Sequence, residues 1–310
     1  MNHRVLVTGA SGFLGARIAA ALAAEPMVAE VLGLDRAEPP PGVPWRPVVA
    51  GLNRLGDALP RDWVADAVVH GAALTSQASE ADPDAAYAVN VEGTRAVLGR
   101  CQAWAERTGR PPRLVLLSSV SVFGGGGEAA DEATPPDPRT TYGTTKLIAE
   151  RLVLDATRRG AVDGVVLRLP ISTIRTERSG KPGAGFVSDL ILQALRGEPF
   201  TAPLPLDHRL PVGSVASSVA LAVRAALHAA PGRVLHAPSL TVSAASARDD
   251  VARFCAANPV VTAAPDPLVD RLVAGWPKRL STLYPGWSAR LTELSLAEVI
   301  RRHVAAHAVA

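Results

Sequence analysis

The chain has 310 residues, enough for one large α/β unit or a main domain with a smaller one attached, and 48% of them are hydrophobic, enough for a sizeable core. Lysine and arginine number 32 against 29 acidic residues, a net charge of +3 without a concentrated basic run, so nucleic acid is not implied as a partner. The two cysteines, Cys101 and Cys255, each sit in an apolar helical pattern, which reads as free thiols in a reducing compartment and argues against a disulfide-built domain.

The N-terminal residues run directly into a strand and a glycine loop, with neither a cleavage pattern nor an apolar run of spanning length, so a soluble cytoplasmic protein without a membrane partner is the expectation. Residues 4 to 8, RVLVT, read as a buried strand ending in GASGFLG, and Leu14, Ile18 and Leu22 then repeat at helical spacing. Gly9, Gly12 and Gly15 in this strand-turn-helix setting permit a tight turn and a close backbone approach, so that the helix N-terminus can hold a pyrophosphate. A second strand, VLGLD (31–35), ends in Asp35, placed where a carboxylate would bind the ribose hydroxyls. Arg36 could attract a 2′-phosphate, but Asp35 would repel it, and the expected cofactor is NAD.

Residues 38 to 47 carry five prolines and read as a surface loop. A third strand, PVVA (47–50), is followed by Gly51 and Leu52, where an acid to meet the adenine would be expected. A fourth, AVVHGAA (67–73), closes on Ala72 and Ala73, small enough for a cofactor to lie against the backbone, with His70 read as structural. A long helix over about 83–108 places Tyr87, Val91, Leu98, Cys101 and Ala105 in one stripe. A further stripe follows Lys146 at Ala149, Leu152, Val153 and Ala156, and two striped helices suggest pairing with their copies in a homodimer.

The stretch 113–160 carries the chemistry. RLVLLSSVSVFGG is a strand running into hydroxyl residues, and TTYGTTKLIAERLVLDATRRG is a helix with Tyr142 and Lys146 at i, i+4 on one face. Ser119, Tyr142 and Lys146 thus form a candidate proton-handling group. A phenol titrates near about 10, and a neighbouring ammonium favours the phenolate, which would make Tyr142 a base near neutrality. The glycine run 124–127 reads as a flexible loop at the ligand-binding edge. GVVLRL (164–169) is a sixth strand, after which the alternation weakens. Arg175, Arg178 and Lys181 follow in a loop, and Trp276, Tyr284 and Trp287 read as packing residues of a smaller lobe. His303 and His307, at i, i+4 without a third ligand, are not read as a metal site.

These features define an α/β fold, a Rossmann-type doubly wound parallel sheet with a smaller C-terminal substrate lobe. The expected dinucleotide-binding domain covers 1–170 with a returning segment near 211–238, and the substrate lobe covers 171–210 and 239–310.

TGASGFLG, LD, HGAA, SSVSVFG and YGTTK, in this order, resemble the extended short-chain dehydrogenase/reductases, a superfamily that includes nucleotide-sugar epimerases and dehydratases. The resemblance covers about residues 4 to 170. It implies that Ser119 and Tyr142 are catalytic, with Tyr142 the acid/base, and that Lys146 holds the nicotinamide ribose and lowers the tyrosine pKa. It also implies cofactor contacts from Gly9, Ser11, Gly12, Phe13, Leu14, Gly15, Asp35, Ala72, Ala73, Asn90, Ser118, Tyr142, Lys146 and Pro170. A narrower likeness, in LTSQASEADPD, VNVEGTR, RRGAVDGVVLRLP, GKPGAGFVS and APDPLVDRLVAGWP, extends to members that oxidise a four-carbon sugar acid at C2. It implies a small sugar-acid substrate held by Thr75, Ser76, Ser119, Tyr142 and Arg175, with Arg175 gripping the carboxylate. A nucleotide-sugar epimerase or dehydratase, or a cofactor-binding regulator without turnover, are the alternative readings.

Overall fold

The computed structural model describes residues 2–175, 185–230, 232–292 and 295–307. These form two compact units, the first comprising Met1–Ser119, Thr141–Arg168 and Val219–Leu235, the second Val120–Thr140, Leu169–Ser218 and His236–Ala310.

The first unit is built on the strands β1 (His3–Thr8), β2 (Val28–Asp35), β3 (Arg46–Val49), β4 (Ala67–His70), β5 (Arg113–Ser119) and β6 (Asp163–Leu169). After β7 (Ile171–Thr173), β8 (Phe200–Ala202) and β9 (Leu210–Ser214) comes β10 (Val234–His236). The seven-stranded sheet has the order β10-β6-β5-β4-β1-β2-β3, and the pairings from β5 across to β3 are parallel. Parallel strands are covered on both faces, which is why β1, β4 and β5 are near-continuous apolar runs and not alternating ones. Chain order reverses at β1, flanked by β2 and β4. A crevice therefore opens beyond the carboxyl ends of these strands, the place where such sheets bind ligands. Thr8, Asp35, His70 and Ser119 are the last residues of β1, β2, β4 and β5.

The expected long helix is real but not uniform. Pro83–Ala86 is α-helical, Tyr87–Glu92 is one wider π turn, and Gly93–Thr108 resumes the α-helix, ending on Gly109 at φ +72°. Its inward face is Gly93, Thr94, Val97, Cys101 and Trp104. Of the expected stripe only Cys101 is buried, while Tyr87 is exposed and Val91, Leu98 and Ala105 are half-buried. The π turn shifts the register of side chains along the helix, so a stripe read at constant spacing across it follows the flank. Trp104 is fully buried, stacks edge-on against Trp63 at 5.7 Å and donates from its indole to the Trp63 carbonyl oxygen at 3.0 Å. Burial pushes the Cys101 thiol up to about 12.

The second unit holds a three-stranded sheet of order β11-β9-β7, with β11 (Leu240–Val242) antiparallel and β7 parallel to β9, and a parallel pair of β12 (Val261–Ala263) with β8. The helix Phe186–Leu195 packs its apolar face into the core of this unit, joined by Trp276. The glycine run differs from the expected free loop. Gly126 N–H donates to the Gly275 carbonyl oxygen at 2.6 Å, Lys278 N–H to that of Gly127 and Ala130 N–H to that of Arg279, so backbone partners along 275–279 hold it. Glu132 extends the arrangement by accepting from His236 N–H at 2.9 Å, the Thr282 hydroxyl at 2.6 Å and Leu283 N–H at 2.7 Å.

Candidate active site

The glycine loop closes on itself before its helix begins. Gly9 adopts φ +76°, a left-handed conformation natural to glycine, and a Cβ there would lie 2.7 Å from the Ala72 amide nitrogen. A Cβ on Gly15 would lie 1.9 Å from the Gly9 carbonyl oxygen. The loop after β1 and the residues after β4 therefore approach backbone to backbone. The helix Phe13–Ala23 that follows has no side-chain cap and no acid in its first turn, a setting in which a helix N-terminus favours an anion. Asp35 accepts from Ser11 N–H and from Ala37 N–H, both at 3.1 Å, and the Ser11 hydroxyl donates to the Ala37 carbonyl oxygen at 2.8 Å. The acid at the end of β2 is thus fixed beside the glycine loop. A groove floored by bare backbone, a helix N-terminus without a side-chain cap and a carboxylate at its side fits a dinucleotide with unphosphorylated ribose.

The helix Thr141–Arg158 is anchored at its start, where Thr141 N–H donates to Glu80 Oε1 at 2.7 Å, an anion at the positive end of the helix. Its buried face is Gly143, Thr145, Lys146, Ala149, Glu150, Val153 and Ala156. Ala149, Val153 and Ala156 are ordinary core. Lys146 and Glu150 are 3% and 1% exposed, and such charges survive burial only with partners. Arg168 in β6, itself 3% exposed, supplies one: Nε donates to Glu150 Oε1 at 3.0 Å and NH2 to Oε2 at 2.7 Å, a two-pronged grip. The Ser118 hydroxyl donates to the same Oε1 at 2.5 Å. Burial pulls the Lys146 ammonium down to about 8, with the Glu150 carboxylate opposing the shift. Tyr142, one turn before Lys146, is half-buried, as is Ser119 at the end of β5.

A chain of buried hydrogen bonds runs behind these residues. Thr94 donates its hydroxyl hydrogen to the Asn90 carbonyl oxygen at 2.6 Å, so toward His70 Nε2, 3.1 Å away, it can only accept. The proton of His70 therefore sits on Nε2, and Nδ1 accepts from the Thr8 hydroxyl at 2.7 Å. Burial, with the Lys146 ammonium nearby, pushes the His70 imidazole down to about 3, so it is neutral at physiological pH. Asn90, within the π turn, donates from Nδ2 to the Leu74 carbonyl oxygen at 2.9 Å and to the Thr145 hydroxyl at 2.9 Å, while its Oδ1 accepts from Leu74 N–H at 2.7 Å.

Among the sequence-derived site residues, the first unit contains Gly9 through Gly15, Asp35, Ala72, Ala73, Thr75, Ser76, Asn90, Ser118, Ser119, Tyr142 and Lys146. Thr75 is exposed at the start of the helix Ser76–Ala81, and Ser76 has φ +30°, a strained value outside glycine. The Ser118 hydroxyl is committed to Glu150, and both Asn90 Nδ2 hydrogens have protein acceptors. Pro170 and Arg175 belong to the second unit, where Arg175 is half-buried and its backbone N–H donates to the Ser188 hydroxyl at 3.2 Å. Arg178 and Lys181 lie outside the described residues. Glu150, Arg168, Thr145 and the bonding of His70 were not anticipated from sequence. Two signals pointed to the ion pair: an acid on the apolar stripe four residues after Lys146, and an arginine inside the apolar strand GVVLRL. Each needed a partner once buried.

A parallel sheet with a glycine loop and a fixed carboxylate at its carboxyl edge defines a Rossmann-type dinucleotide-binding protein. Residues 5–237 match the NAD dependent epimerase/dehydratase family, and the chain belongs to that family. It is 32% identical to D-erythronate dehydrogenase of Cupriavidus necator, over 97% of each chain. To D-erythronate dehydrogenase of Haemophilus influenzae it is 31% identical, over 89% of this chain and 91% of that one. The crystal structure of a nucleoside-diphosphate-sugar epimerase from Agrobacterium tumefaciens superposes with a TM-score of 0.85 at 26% identity, over 99% of this chain and 95% of that one. The chain is an NAD-dependent dehydrogenase of the short-chain dehydrogenase/reductase type, and its cofactor is NAD. Among the described residues no helix is long and apolar enough to cross a membrane.

Proposed function

We propose that the chain oxidises a small sugar acid, D-erythronate or a close relative, at the C2 alcohol. The observation that carries this reading is the likeness to two D-erythronate dehydrogenases over nine-tenths or more of their own length, so that it includes the second unit as well as the nucleotide-binding one. NAD, when bound by the glycine loop and Asp35, supplies the hydride acceptor. Tyr142 as phenolate takes the proton of the substrate hydroxyl, and Ser119 hydrogen-bonds the same oxygen. Lys146 keeps the phenol acidic and holds the ribose. General base catalysis of this kind contributes on the order of 10²–10⁴-fold. Arg175 holds the substrate carboxylate, with Thr75 and Ser76 bonding its hydroxyls. The working form in this reading is a cytoplasmic homodimer joined through the helices that carry Val91 and Leu152, both half-buried in the single chain.

The likeness to a nucleoside-diphosphate-sugar epimerase supports a second reading, in which the same three residues act on a nucleotide sugar. An NAD-reduction screen over four- to six-carbon aldonates and nucleotide sugars tests both. Turnover of D-erythronate or a neighbouring aldonate is the expected result, and turnover of nucleotide sugars alone would replace the first reading by the second.

A further inference from the structure

We infer that Glu150, gripped by Arg168 and Ser118, is a positioning residue that sets the charge of Lys146 and through it the ionisation of Tyr142. The inference rests on the reading of Tyr142 as the base. Glu150 follows Lys146 by one helical turn on the same buried face, and its two oxygens are occupied by the Arg168 guanidinium and the Ser118 hydroxyl. A carboxylate 1% exposed needs such donors, and Arg168 and Ser118 fix the Glu150 oxygens in place beside Lys146.

Charged and titratable groups approach Lys146 from its own helix and from two strands. Tyr142 and Glu150 share its helix, His70 comes from the end of β4, and Arg168 reaches the same place from β6 through Glu150. His70 is neutral, with both ring nitrogens in hydrogen bonds to threonine hydroxyls. Burial drives Lys146 toward the uncharged amine, and Glu150 is the charge that opposes this. Tyr142 and Lys146 then share a problem of placement. When the pair gives up one proton, either the phenolate forms beside an ammonium, or the phenol stays intact beside a neutral amine. Only the first form makes Tyr142 the base. A negative charge one turn beyond the lysine favours the first form, and the ion pair therefore governs how much Tyr142 is ionised without touching substrate or cofactor.

The test is phenolate absorbance in the near ultraviolet, titrated on the unliganded protein up to about pH 10, near the ordinary phenol pKa. Three tyrosines are present, and Tyr142→Phe serves as the blank for Tyr87 and Tyr284. The double variant Glu150→Gln/Arg168→Met removes both charges at similar volume, so that no buried guanidinium is left alone. At about pH 8.5 its Tyr142 phenolate should be about threefold less than wild type, the change given by half a pKa unit, and kcat with NAD and D-erythronate should fall in proportion. Ser118→Ala, which leaves the ion pair intact, should move both readouts the same way by less, and it serves if the double variant does not fold. Wild-type phenolate and kcat in a folded double variant, or in Ser118→Ala if only that variant folds, would overturn the inference. Failure of the underlying reading shows separately, as turnover by Tyr142→Phe.

Discussion

Asn90 and Thr145 are 55 positions apart, and the Asn90 Nδ2 donates to the Thr145 hydroxyl at 2.9 Å, while that hydroxyl donates to the Tyr142 carbonyl oxygen at 3.0 Å. The same amide pairs with both backbone groups of Leu74, immediately before Thr75 and Ser76. One buried side chain therefore fixes the helical turn that bears Tyr142 and the loop proposed to bind substrate. Asn90→Leu fills the space but leaves the Leu74 N–H and C=O without their partner, at about 1–3 kcal/mol for each unsatisfied buried group. Chemical denaturation should show that loss, and kcat should fall by about tenfold or more as the Tyr142 turn loosens. An unchanged kcat in a destabilised protein would confine Asn90 to folding.

Cofactor choice follows from Asp35. Its carboxylate is held by Ser11 N–H and Ala37 N–H at the edge of the glycine loop, where a 2′-phosphate would meet a fixed negative charge. NAD should exceed NADP in kcat/KM by about tenfold or more, the equivalent of about 1.4 kcal/mol, and Asp35→Ala should narrow the ratio. Equal use of both cofactors by the wild type would show that Arg36 governs the site.

His70 makes stability depend on acid. Its folded pKa, about 3, lies below the ordinary imidazole value of 6.5. As pH falls the unfolded chain takes up the proton first, so this stabilisation is complete above about pH 6.5 and is lost toward pH 3, with a slope of at most about 1.4 kcal/mol per pH unit. His70→Gln keeps a donor and an acceptor but cannot titrate. Urea unfolding at several pH values should show the advantage of wild type over His70→Gln shrinking with acid. Parallel curves would mean that His70 is not the group titrating.

In the proposed function Arg175 grips the substrate carboxylate. Loss of a charge-assisted hydrogen bond costs about 1.5–3 kcal/mol, so Arg175→Ala should lower kcat/KM for the sugar acid by about one to two orders of magnitude, with NADH affinity unchanged. Wild-type efficiency on every accepted acid would place the carboxylate elsewhere.

How far the sequence discloses this protein depends on whether a residue's role is local. The glycine loop, the acid ending β2 and the Tyr142–Lys146 spacing are local patterns in which neighbours determine geometry, and the parallel sheet follows from apolar runs separated by helical ones. Partners brought together from distant elements are not local. Nothing in SSVSVFG announces that Ser118 bonds Glu150, or that Arg168 waits on the next strand. The wider turn at Tyr87–Glu92 is hidden for a similar reason: it displaces the buried face of a helix whose composition looks uniform, and Val97 and Trp104 become core where the constant-spacing stripe runs through Leu98 and Ala105. The glycine run 124–127 reads as a flexible loop because its backbone partners, Gly275 to Arg279, are far along the chain.

The central claim, that a Tyr142 phenolate removes the hydroxyl proton of a small sugar acid for which NAD would supply the hydride acceptor, is tested most directly by initial rates of NADH formation from NAD and D-erythronate in wild type and Tyr142→Phe, with NADH binding followed by fluorescence in both. The account predicts turnover by wild type, a loss of about 10²-fold or more in Tyr142→Phe, and nearly equal NADH binding. Turnover at the wild-type rate by Tyr142→Phe would contradict it.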